Sequence, residues 1–341
     1  MSTVINVNCI EGMAAMPDAS VDAIVCDPPY ELGFMGKKWD ASGIAYSADV
    51  WGQALRVLKP GGHLLAFGGT RTHHRMMVAI EDAGFEIRDV LMWLYGSGFP
   101  KSLDVSKAID AAQGVMPSGY RVNPAERPGN GSGATTSTGW AKPSRPPKPI
   151  ATGSAARQWE GWGTALKPAY EPIVLARKPL IGTVAANVLA HGTGAINVDA
   201  CRIGTDERMS YSTSKVTGAT AFGTGTSEQN AAGRWPANIL LDEDAAAMLD
   251  AEAGASVSRF FYVAKASKSE REAGLDGMGE AERKDSESRE PDAAGSNNPR
   301  LRTSARRNDH PTVKPIALMR WLVRLVTPPG GIVLDPFAGS G

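Results

Sequence analysis

Val21-Asp22-Ala23-Ile24-Val25-Cys26-Asp27-Pro28-Pro29-Tyr30 decides how the rest of this chain is read. The first six residues form a short run, apolar except for Asp22, which suits a strand. Asp27 then sets a carboxylate at the strand's C-terminal end. The two prolines fix φ near ~−65° and remove two backbone donors, so the carbonyls of Asp27 and Pro28 are held outward as acceptors. Tyr30 adds an aromatic face. Acceptors beside a stacking ring suit chemistry on a flat ring bearing an exocyclic amino group, because that group needs acceptors and every nucleobase offers a face. Taken alone, the same four residues also describe a turn that ends a strand.

Working outward, residues 3–8 and 21–26 read as strands separated by a short helical stretch around Glu11 to Met16. A polar loop with glycines and lysines, 31–45, follows Tyr30 and is placed to act as a lid. Residues 48–58 carry apolar groups on helical spacing and stop at Pro60-Gly61-Gly62, after which 63–67 reads as a strand. A helix over 72–83 and a strand over 86–95 continue the alternation. Such alternation argues for an α/β fold with a doubly wound, mostly parallel sheet, whose ligand crevice lies at the strand C-termini. The pattern breaks from Gly96 to about Trp162, where Gly, Pro, Ser and Thr dominate. Ordered patches return at 170–176, 238–241 and 259–264, and 267–308 reads as a linker. Residues 1–96 and 309–341 are therefore expected to be two halves of one domain, with 97–308 a large irregular insertion carrying flexible linkers. In the last part, Pro315 to Val326 is an amphipathic helix and Ile332 to Leu334 a strand that runs into Asp335-Pro336-Phe337-Ala338-Gly339-Ser340-Gly341.

The chain has 341 residues, 42% of them hydrophobic and 21% charged, which allows a sizeable core and contains no run long enough for a membrane span. The start of the chain has neither a basic region nor an apolar signal core, so a cytoplasmic location is expected. Cys9, Cys26 and Cys201 share no C-x-x-C spacing, and no structural metal is expected. Net charge is zero, but its distribution is uneven. Residues 101–180 hold eleven Lys or Arg against five Asp or Glu, whereas 1–50 hold two against seven. A basic middle is compatible with a polyanionic partner and also with a plain solvated surface.

A strand that ends in Asp and a glycine-rich turn lets a ligand approach the backbone closely. Neither G-x-G-x-x-G nor G-x-x-x-x-G-K-[ST] occurs beside it, which argues against a nicotinamide cofactor and against ATP. Asp27-Pro28-Pro29-Tyr30, His310-Pro311-Thr312-Val313-Lys314-Pro315 and the Asp335 to Gly341 turn, in that order, resemble the DNA amino-methyltransferases that use S-adenosyl-L-methionine. The order is that of the permuted β group, with the catalytic motif first, a target-recognition insertion next and the cofactor motifs last. The resemblance covers residues 1–95 and 310–341, including Arg56 to Gly62 and Asp89 to Tyr95.

That resemblance implies a circularly permuted, Rossmann-like methyltransferase fold acting on double-stranded DNA. Asp27 and Pro28 would accept hydrogen bonds from the target amino group, Pro29 would fix the turn, and Tyr30 would stack on a base flipped out of the duplex. Phe337, Gly339 and Gly341 would pack against or approach the cofactor, and Asp335 would organise their turn. His310, Thr312 and Lys314 are candidates near its methionine end. Asn8 is a further cofactor candidate, standing where relatives usually carry an acidic residue. Adenine N6 is the implied target, with cytosine N4, an RNA or protein amide, or a non-catalytic DNA-binding remnant as the alternatives. Cytosine C5 chemistry is dismissed, because its nucleophilic thiol would have to be Cys26, which precedes the prolines on a buried strand. Relatives continue past the glycine turn into a helix and a further strand, so a C-terminally truncated chain with weak or no activity is expected. A homodimer is one assembly open to it. The recognition sequence and any restriction partner are not legible, and Arg121, Arg127, Arg145 and Lys148 are only candidates for base reading.

Overall fold

Every residue of Val21–Cys26 is buried, as a strand covered on both faces must be. The computed structural model describes residues 3–33, 38–96, 98, 102–115, 120–121, 148–149, 153–204, 233–264 and 314–338. Its strands are β1 (Val21–Cys26), β2 (Leu58–Phe67), β3 (Glu86–Leu94), β4 (Tyr120–Arg121), β5 (Lys148–Pro149), β6 (Tyr170–Arg177), β7 (Ile239–Asp242), β8 (Tyr262–Ala264) and β9 (Val333–Leu334). Its α-helices are α1 (Cys9–Ala14), α2 (Ala48–Val57), α3 (His73–Asp82), α4 (Val105–Ala112), α5 (Ser154–Arg157), α6 (Val184–His191), α7 (Glu243–Ala253) and α8 (Ile316–Val326).

Seven strands form one sheet in the order β8-β7-β3-β6-β2-β1-β9. β1 runs parallel to both β2 and β9, and β7 runs parallel to both β3 and β8; only β6 is antiparallel to its neighbours, β2 and β3. This is the mostly parallel α/β sheet that the alternation of elements predicts. The last strand of the chain pairs with the first, Ala23 opposite Val333 and Ile24 opposite Leu334. Helices cover both faces. On one, Ile24, Leu64 and Ala66 pack with Trp51, Val57, Met76 and Ile80 of α2 and α3. On the other, Ala23, Val25, Leu65 and Phe67 pack with Leu318, Leu322 and Leu325 of α8. The alternation of neighbouring residues between the two clusters is the period-two pleat of β1 and β2.

The strand expected over residues 3–8 is absent. Those residues are irregular, with Val4 84% and Ile5 69% exposed, and they pair with no strand among the described residues; an apolar run acquires strand geometry only by pairing. Among the described residues, those within 98–168 form a compact unit of their own, while those after 168 cluster with those before 97. The patches read at 170–176, 238–241 and 259–264 become β6, β7 and β8 of the main sheet. Within the smaller unit, Asp104 caps α4 and Asp110 accepts a hydrogen bond from the Gly153 amide at 3.2 Å.

Candidate active site

β6 is antiparallel, so its first residues lie at the same sheet edge as the last residues of β2 and β3. Phe67 is opposite Ile173, and Trp93 is opposite Glu171. Asp27, one residue past β1, faces that same edge. Lys314, two residues before α8, is brought there because α8 packs across β1 and β2. Four elements far apart in sequence thus deliver Asp27, Phe67, Glu171 and Lys314 to one place.

The Lys314 ammonium is 2.7 Å from Asp27 Oδ2 and 3.3 Å from Glu171 Oε2, with only 7% of its side chain exposed. It also lies 5.3 Å from the centre of the Tyr30 ring and 4.9 Å from that of Phe67, within cation–π range of both. Tyr30 donates its hydroxyl to Glu171 Oε2 at 2.8 Å. Burial, reinforced by the Asp27 and Glu171 charges, pushes the Tyr30 phenol well above its ordinary value, so it remains a neutral donor. The remaining oxygen of Asp27, Oδ1, is buried and accepts no hydrogen bond among the described residues. A buried acceptor left in that state costs roughly 1–3 kcal/mol, and is a place where a ligand donor is welcome.

The backbone after Tyr30 is tied down tightly. Thr72 donates its hydroxyl to the Tyr30 carbonyl at 2.7 Å, and the Glu31 amide donates to Asp40 Oδ1 at 3.0 Å. Glu31 adopts φ of 55°, a left-handed conformation unusual for a residue with a side chain. Its carboxylate accepts from the Gly43 amide at 2.8 Å, closing the base of the loop read as a lid. At Gly69 an added Cβ would come within 3.4 Å of the Tyr30 Cβ, so the chain after β2 must pass close to the aromatic ring.

Beside β1, the turn after β9 brings up a second carboxylate. Asp335 Oδ1 accepts from the Phe337 amide at 2.9 Å, and Phe337 packs against Trp51 with ring centres 6.0 Å apart. Although Asp335 keeps an exposed face, crowding around its carboxyl pushes it up to about 6, with the Asp27 charge adding to the shift and the Phe337 amide opposing it. Cys26 is fully buried, and burial together with the Asp335 and Asp27 charges pushes its thiol well above the ordinary value. No thiolate chemistry is open to it.

Of the residues singled out from the sequence, Asp27, Pro28, Pro29, Tyr30 and Lys314 gather at this edge, with Asp335 and Phe337 on the neighbouring strand end. Asn8 caps α1, its side chain accepting from the Ile10 amide at 2.9 Å. His310, Thr312, Gly339 and Gly341 lie outside the described residues, as do Arg127 and Arg145; of Arg121 and Lys148 only the backbone is described. Glu171 was not singled out. Its signal was a carboxylate opening an apolar, β-branched run, Tyr170 to Ala176, but only the reversed direction of β6 shows where that carboxylate points. Among the described residues no cluster of His, Cys, Asp and Glu could hold a metal ion, and no helix is long and apolar enough to cross a membrane.

A family model described as DNA methylase, that of the N6/N4 methylases, matches residues 21–341. The type II methyltransferase M.HindIII of Haemophilus influenzae is 30% identical over 146 residues, 42% of this chain and 35% of its own length. The chain thus spans about a third of that curated relative. Among solved structures, the cytosine-N4-specific PvuII DNA methyltransferase aligns over 96% of this chain and 71% of its own, at 11% identity and a TM-score of 0.40. TTHA0409 of Thermus thermophilus, complexed with S-adenosyl-L-methionine, aligns over 50% of this chain and 51% of its own, at 19% identity and a TM-score of 0.27.

Proposed function

Since the chain belongs to the N6/N4 DNA methylase family, we propose that it transfers a methyl group from S-adenosyl-L-methionine to the exocyclic amino nitrogen of a base in double-stranded DNA, with adenine N6 the target. The observation that carries this reading is Asp27, whose Oδ2 is engaged by Lys314 while Oδ1 is buried without a hydrogen bond among the described residues. An amino group supplies the missing donor. The surroundings also suit a cationic cofactor: the carboxylates of Asp27 and Glu171 and the rings of Tyr30 and Phe67 surround the Lys314 ammonium, with Asp335 and Phe337 on the neighbouring strand end. The cofactor supplies an electrophilic methyl group on a sulfonium.

The chain's own residues then bind and orient. Asp27 Oδ1 accepts a hydrogen bond from the amino group and draws the nitrogen lone pair out of conjugation with the ring. As a new N–C bond formed and the sulfonium's S–CH3 bond broke to leave a neutral thioether, one N–H proton would leave to Asp27 or to water. The Tyr30 ring offers a stacking face for a flipped base, whose removal from the duplex costs a few kcal/mol. Catalysis of this kind rests on positioning and on fixed charges rather than on a covalent enzyme intermediate. Asp335 and Phe337 would hold the cofactor, with Gly339, Gly341, His310, Thr312 and Asn8 as further contacts. The insertion over 97–308 is the candidate for base reading.

Incubating unmethylated plasmid with the protein and methyl-labelled cofactor, then digesting the DNA to nucleosides, tests the reading. N6-methyladenine is expected. Label in N4-methylcytosine would overturn the choice of base, and DNA binding without any label would overturn the activity.

A further inference from the structure

We infer that Glu171 and Lys314 form a positioning pair that holds both ends of the Asp27 to Tyr30 motif, Lys314 by pinning Asp27 Oδ2 and Glu171 by anchoring Lys314 and the Tyr30 hydroxyl together. The inference rests on the function proposed above and extends it to residues from two other elements. A carboxylate rotates about its Cβ–Cγ bond, and a free one would present either oxygen. The ammonium at 2.7 Å fixes which oxygen is engaged and leaves Oδ1 as the acceptor. Lys314 is in turn confined by the second carboxylate at 3.3 Å and by two aromatic faces. With 7% of the lysine side chain and 16% of the Glu171 side chain exposed, little water competes for these contacts. The same Glu171 oxygen receives the Tyr30 hydroxyl at 2.8 Å, so one atom ties the acceptor end of the motif to its stacking end.

This places Lys314 on Asp27, not on the carboxylate of a bound amino acid group, and the two roles predict different losses. If Lys314 positions Asp27, then Lys314→Met lowers kcat while cofactor affinity, measured by calorimetry without DNA, changes less than about threefold. If it binds the cofactor carboxylate, the affinity falls tenfold or more, which overturns the inference.

Glu171 is tested by Glu171→Gln, Tyr30→Phe and the double variant, each assayed for kcat and for KM of DNA and cofactor on plasmid. Glu171→Gln is expected to lower kcat about 10- to 100-fold with both KM values little changed, since misplacing a reacting group costs that much. The double variant is expected to be no worse than the poorer single one, because the two side chains act through one shared contact. Additive losses, or a Glu171→Gln protein with unchanged kcat, would overturn the inference. Failure of the parent reading looks different: wild-type protein would then leave the plasmid unlabelled.

Discussion

Asp-Pro occurs at the ends of two neighbouring parallel strands, as Asp27-Pro28 after β1 and Asp335-Pro336 after β9, and the two copies end in opposite electrostatic states. Asp27 holds the buried Lys314 ammonium on one oxygen and keeps the other as a bare acceptor. Asp335 has no cation paired with it among the described residues; it receives one backbone amide, and crowding together with the Asp27 charge pushes it up to about 6. The same dipeptide therefore serves as an ion-paired acceptor in one place and as a turn organiser whose carboxyl is pushed up in the other. The residue types are shared, so the difference comes from what α8 and β6 bring to one strand end and not to the other.

That comparison can be broken most directly by removing each carboxylate in turn. Asp27→Ala is expected to lower kcat by about 10²–10³-fold, as loss of an aligned charge-stabilising group does. Asp335→Ala should act mainly on cofactor affinity in calorimetry. Equal loss of kcat in both would erase the distinction.

A second change tests the seam between the strands. Buried Asp22 receives Lys59 at 2.6 Å and the Ile332 amide at 2.8 Å, stitching the start of β1 to the start of β9. Asp22→Ala is expected to destabilise the protein by about 1–3 kcal/mol in urea unfolding, leaving the Ile332 amide without its acceptor.

The smallest effect is the pH dependence of Asp335. Its carboxyl is raised from an ordinary value of 3.8 to about 6, so the folded state binds its proton more tightly than the unfolded state. The stability it contributes is full below about 3.8 and is lost as pH rises through about 6. Thermal unfolding from pH 4 to 7 should show this decline in the wild type and a flatter profile in Asp335→Asn. Identical profiles would refute the raised value.

Much of the fold was legible because burial on both faces leaves a plain mark on sequence. The expected strand over 21–26 matches β1, and the helices expected over 48–58, 72–83 and 315–326 appear as α2, α3 and α8 with ends shifted by about one residue. Thr3 to Asn8 misled because alternating apolar and polar residues record a willingness to pair, not the presence of a partner. The place of β6 in the sheet was hidden for a different reason. The strand follows a long stretch without periodicity, and nothing local shows that a strand entering a sheet from such a stretch will take the slot between β2 and β3.

The sequence alone determined the two strand-end motifs, their order and the chemistry their side chains can perform, because those follow from residue type and from proline geometry. Tertiary structure alone decided which charges meet. Lys314 reaches Asp27 across 287 positions, and Glu171 reaches Tyr30 across 141. Such contacts depend on strand order, on the antiparallel direction of β6 and on where α8 lies across the sheet. Each of these is fixed by burying apolar faces over the whole domain, and no local stretch of sequence records it.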